Sequence, residues 1–147
     1  VYERLSAYSA GEELKVAFGT LSLCGTNGGT MSRLKRSDVS RAVKSLEKCV
    51  KLCGTLPSDS PGFTRVEPIK SHLRQALEDL TNADACYDSF DFDYCLDICN
   101  EEIKDTFPLL YYLIVHSEGK PRKAVLDIRE RLIKIRGMMV QHFWSSV

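Results

Sequence analysis

Apolar side chains recur along this chain at steps of three and four, the period of a helix with one buried face. In residues 2–24 the recurring positions are Leu5, Tyr8, Leu14, Ala17, Phe18, Leu21 and Cys24. Gly11 and Gly19 weaken the pattern, and Ser9 with Glu12 fits a capping box, so this stretch reads as one helix or two short ones. Three glycines and an asparagine within residues 25–30 then stop it. The next stripe is Val39, Ala42, Val43, Leu46, Cys49, Val50 and Cys53. Ser37 is placed to cap it, Asp38 suits its positive first turn, and Gly54 stands where a terminating glycine is expected.

Residues 55–62 are loop-like, and a third helix is expected from Glu67-Pro68, proline being tolerated in a first turn. Its stripe is Ile69, Leu73, Ala76, Leu77, Leu80, Ala83 and Tyr87. After an interruption at 88–91, a fourth helix carries Tyr94, Cys95, Ile98, Cys99, Ile103 and Phe107. Pro108 should end or kink it, because proline lacks a donor and crowds the preceding turn. Residues 109–115, apolar all round, read as a buried continuation. A turn at 117–121 leads to a last helix from about Arg122 to Trp144. There Val125, Ile128, Leu132, Ile135, Met139 and His142 form a heptad-like seam, widened by Ile133, Met138 and Phe143.

No strand pattern competes, so the expected fold is all-α: a compact antiparallel bundle of about five helices with a Pro-kinked fourth helix. A chain of 147 residues makes one domain, 1–147, that buries about two-thirds of its unfolded surface without needing cross-links. Its 44% hydrophobic and 27% charged content excludes a disordered or fibrous chain. The longest apolar run, 109–115, is far short of the ~18 residues of a membrane span. The start at Val1 and the abrupt end at Val147 point to a processed chain or a domain excised from a longer one.

Charge changes the picture. Twenty basic side chains balance twenty acidic ones, yet residues 31–53 carry a net +5, residues 120–147 another +5, and residues 78–105 a net −9. Either the charges pair and solvate, or a charged face docks a partner, or the basic segments join into a nucleic-acid patch. Aromatic residues are not interleaved with the basic ones, which argues against nucleic acid.

Six cysteines, Cys24, Cys49, Cys53, Cys86, Cys95 and Cys99, admit two readings. As buried thiols they extend the apolar stripes, which suits an intracellular protein in the cytoplasm or nucleus. As disulfides, the two Cys-x3-Cys pairs would bridge neighbouring antiparallel helices and leave Cys24 with Cys86, although six cysteines allow fifteen pairings. The spacing Cys24-x24-Cys49-x3-Cys53-x32-Cys86-x8-Cys95 resembles the first five cysteines of insect odorant-binding proteins. That resemblance implies a secreted, three-bridge helical carrier. The pattern departs from it at Cys99, which follows after three residues rather than eight, and in the long stretch beyond.

Candidate chemistry is sparse. His72, His116 and His142 are scattered, and no short Cys-x2-Cys knuckle presents zinc ligands. A calcium loop starting at Asp88 has Asp93 and Cys99 at its sixth and twelfth positions, and one starting at Asp91 has Leu96 there, so both lack the required glycine. No nucleophile elbow, phosphate loop, dinucleotide fingerprint or Glu-x-x-His pair appears. The chain is therefore read as non-catalytic and without metal or cofactor. The expected role is a scaffold or adaptor that binds another protein or peptide segment through a helix face with segregated charge. The expected anchors lie on the last helix: Arg129, Lys134, Arg136, Phe143 and Trp144, a face that would also serve homo-oligomerisation. A secreted, disulfide-bonded carrier or signalling protein with an apolar cavity is the alternative, and a basic-patch nucleic-acid binder the third.

Overall fold

The computed structural model describes residues 34–57 and 65–145. Among them the chain forms four helices and no strand: α1 (Arg36–Gly54), α2 (Val66–Ala85), α3 (Asp91–His116) and α4 (Gly119–Ser145). The helix expected within residues 2–24 lies outside the described residues, as does Cys24.

Each helix packs on its neighbours in sequence, and α4 closes the ring against α1. All four contacts run antiparallel. Arg36 and Ser40 near the start of α1 meet Asp84 near the end of α2. His72 early in α2 meets Glu102 in α3, while Cys86 beyond its end lies by Cys95. Asn100 meets Arg136 across α3 and α4, and Ser45 meets Arg131 across α1 and α4. The diagonal pairs α1–α3 and α2–α4 bring no two Cα atoms within 8 Å. Short connections force this up-down order, and four stripes turned inward make one core.

That core is built from the periodic positions. Val39, Ala42, Leu46, Cys49 and Cys53 of α1 are buried, as are Ile69, Leu73, Ala76, Leu80 and Ala83 of α2 and Val125, Ile128, Leu132, Ile135 and Met139 of α4. Val43, Val50 and Leu77 at the edges of the stripes are half-buried.

Four local expectations are corrected. Ser37 does not cap α1: Lys35 occupies that position without a side-chain cap, and its carbonyl accepts from the amides of Asp38 and Val39. Pro108 does not end α3, which runs unbroken from 91 to 116. The carbonyl that loses its partner belongs to Lys104, an exposed residue whose side of the helix water reaches, while Phe107, Leu110 and Leu113 are held in the core. The final turn is shorter than expected, because Gly119, at φ 63°, makes the left-handed step that starts α4 and leaves Pro121 in its first turn. The α3 stripe is also re-phased: Phe92, Leu96, Cys99, Ile103 and Phe107 face inward, and Tyr94 faces water.

Candidate interaction surface

The five anchors expected on α4 do not share one face. Arg129, Arg136 and Phe143 follow one another at seven-residue steps along the α3–α4 seam. Arg129 donates to the Tyr111 hydroxyl at 2.9 Å, with its guanidinium 5.2 Å from that ring's centre. Arg136 donates to Asn100 Oδ1 at 3.1 Å. Phe143 is half-buried and meets His142 edge-on at 5.6 Å. Lys134 lies on the other side of α4, exposed and 3.4 Å from Glu130. Trp144, 49% exposed, closes the helix. A guanidinium is long enough to reach across a helix seam to an aromatic or amide oxygen, and the charge pattern alone does not show that.

The five described cysteines are free thiols. Cys49, Cys53 and Cys99 are buried in the core. Burial pushes the Cys49 thiol up to about 12 and the Cys53 thiol up to about 11. Cys99 is pushed up by burial, then by the nearby Asp79 and Glu102 carboxylates. Such thiols stay protonated and unreactive. The two Cys-x3-Cys pairs sit on α1 and α3, diagonal helices, and Cα atoms more than 8 Å apart cannot be bridged without moving the backbone. Spacing showed that each pair shares a face but not that the faces belong to opposite corners. Cys86 and Cys95 are the pair brought together, with sulfurs 3.9 Å apart.

A polar cluster lies at the α2–α3 interface. His72 Nδ1 lies 2.7 Å from Glu102 Oε2. Asp79 is buried and accepts from Gln75 Nε2 at 3.1 Å. Its carboxyl is pushed up by burial, with Glu102 and Glu78 adding to the shift and the Gln75 hydrogen bond opposing it. The nearby thiol, Cys99, donates to the Ala76 carbonyl instead of to a base. Among the described residues, no three side chains of metal-binding type converge.

The outer face of α3 is different in kind. Phe90, which precedes the helix with near-helical dihedrals, is 93% exposed, and Tyr94 one turn on is 67% exposed. Asp97, Glu101 and Asp105 continue the same line at steps of three and four, all exposed. None of these three carboxylates has a hydrogen-bond or ion-pair partner among the described residues. Lys104 flanks the line, and Asp88 and Asp91 lie exposed around Phe90. By contrast Arg41 pairs with Asp38, Lys70 with Glu67 and Arg131 with Asp127, each within its own helix. The stripe from Tyr94 to Phe107 hides this line in the sequence, because it places Tyr94 in the core. The steps Phe92, Leu96, Cys99, Ile103, Phe107, Leu110 make a longer unbroken stripe, and that signal assigns Tyr94 outward.

No family model, curated protein or solved structure matches this chain. No helix among the described residues is long and apolar enough to cross a membrane.

Proposed function

We propose that the domain is a non-catalytic protein–protein interaction module that presents the outer face of α3 to a basic partner surface. The observation that carries this reading is the exposure of Phe90 and Tyr94 in line with three carboxylates that have no partner among the described residues. Single exposed aliphatic residues are ordinary, but two aromatic rings one turn apart at 93% and 67% exposure keep an apolar surface in water. A partner that covers them recovers that cost, and tyrosine and aromatic anchors dominate binding energy where they are desolvated. The carboxylates add attraction at a distance and set orientation, so the partner offers lysine or arginine around an apolar pocket. Arg129 and Arg136 support the reading from behind: their hydrogen bonds to Tyr111 and Asn100 tie α4 to the presented helix.

The test compares proteins retained from an extract by the immobilised chain and by two variants, Phe90→Ala/Tyr94→Ala and Asp97→Lys/Glu101→Lys/Asp105→Lys. The expected result is a partner whose purified form binds the native chain, weakens as salt rises, and loses tenfold or more in affinity for either variant. A partner that binds all three chains alike overturns the reading. Sedimentation of the chain alone identifies a second copy as that partner, since α1 exposes Arg41, Lys44, Lys48 and Lys51.

A further inference from the structure

We infer that Cys86 and Cys95 are a disulfide-forming site that locks the α2–α3 turn. Cys86 is the residue that closes α2, and its amide donates to the Asn82 carbonyl at 3.0 Å. Its carbonyl accepts from the Ser89 amide at 2.9 Å, and the Ser89 carbonyl in turn accepts from the Phe92 amide at 3.2 Å. Ser89 Oγ takes the Asp91 amide at 3.2 Å. Tyr87 packs edge-on against Phe92 at 4.9 Å. These contacts fix both sides of the turn, so the backbones of residues 86 and 95 are held while their sulfurs face each other at 3.9 Å. A disulfide needs about 2.05 Å between sulfurs, which side-chain rotation supplies without unwinding either helix. Both residues are half-buried, so a small oxidant reaches them, whereas Cys49, Cys53 and Cys99 are sealed in the core.

The oxidant is a low-molecular-weight disulfide of the glutathione class. One sulfur, as thiolate, attacks the oxidant, forming a mixed disulfide and expelling one thiolate. The second protein sulfur, as thiolate, then attacks the mixed disulfide at the protein sulfur, closing Cys86–Cys95 and expelling the other thiolate. Two protein thiols lose two protons and two electrons; the oxidant takes up both pairs and leaves as two thiols. Burial and the neighbouring Cys86 raise the Cys95 thiol, so closure speeds up in alkaline buffer. This site does not depend on the binding role proposed for α3. It does make the domain suited to an oxidising compartment, where the bridge persists.

The test equilibrates the full chain with oxidised glutathione, blocks free thiols with N-ethylmaleimide and maps the products. Trypsin leaves Cys86, Cys95 and Cys99 together on residues 75–104, and a protease that cuts before aspartate then separates them at Asp88, Asp91, Asp93 and Asp97. The expected product joins the peptide of Cys86 to that of Cys95, two hydrogens lighter than the pair of thiols, with Cys99 unlinked. The oxidised chain is expected to melt about 5–10 °C above the reduced one. Cys95→Ser should keep the helical circular dichroism and lose both the linked product and that rise. Blocked thiols at both Cys86 and Cys95, or a product joining Cys86 to any other cysteine, overturns the assignment.

Discussion

Phe90 and Phe92 stand two residues apart at the start of one helix, and the first is 93% exposed while the second is fully buried. The inner line of α3 runs Phe92, Leu96, Cys99, Ile103 into the common core, with Phe92 set edge-on against Tyr87 and His142. The outer line runs Phe90, Tyr94, Asp97, Glu101, Asp105 into water. Residue type is the same at the head of each line, so helical phase decides which phenylalanine stabilises the fold. The outer line adds nothing to the core, and substitutions at the two heads separate the lines.

The largest contrast is Phe92→Ala against Phe90→Ala. Removing the buried ring should cost about 3–5 kcal/mol in urea unfolding, and removing the exposed one less than about 0.5 kcal/mol. Similar losses would mean the two lines are not different. His142 supports the inner line from α4: its Nδ1 accepts the Leu34 amide at 3.2 Å, and its Nε2 lies 2.7 Å from Asp93 Oδ1. His142→Ala should therefore cost about 1–3 kcal/mol, and Lys134→Ala on the opposite side of α4 should lie within about 0.5 kcal/mol of the native chain.

Acid–base behaviour divides the same way. The buried Asp79 has its carboxyl raised above the ordinary 3.8, so the fold penalises its charged form. Stability from this group is fully present below 3.8 and is lost as pH rises through the raised value. Asp79→Asn, which still accepts from Gln75, should match the native chain in acid and melt a few degrees higher at neutral pH. Cys49 and Cys53, raised from 9.0 to about 12 and about 11, should make stability fall as pH climbs from 9 through those values. The smallest effect is expected on the outer line, where Asp97→Asn/Glu101→Gln/Asp105→Asn should shift unfolding by less than about 0.5 kcal/mol.

Much of the architecture is legible in the sequence, because three- and four-residue steps of apolar side chains are a direct consequence of burying one side of a helix. Val39 to Cys53, Ile69 to Ala83 and Val125 to Met139 need no tertiary information. Two features resist that reading. Around residue 92 two apolar lines overlap; the longer stripe from Phe92 to Leu110 favours the inner one, and packing against Tyr87 and His142 holds Phe92 there. Around Pro108 the local penalty is outweighed by Phe107, Leu110 and Leu113 anchored in the core. The surface is less legible, because a charge count does not show which arginines reach across a seam. Arg129 and Arg136 each reach across to α3, at Tyr111 and Asn100. Cysteine spacing likewise places sulfurs on faces, but the juxtaposition of Cys86 with Cys95 depends on how the turn folds back.

The most direct measurement is carbodiimide labelling of carboxylates, read by mass spectrometry, on the chain alone and saturated with its retained partner. Asp97, Glu101 and Asp105 should label readily alone and be protected in the complex, while Glu130 on α4 labels equally in both. Unchanged labelling at the three α3 carboxylates, with protection at Glu130 instead, would contradict it.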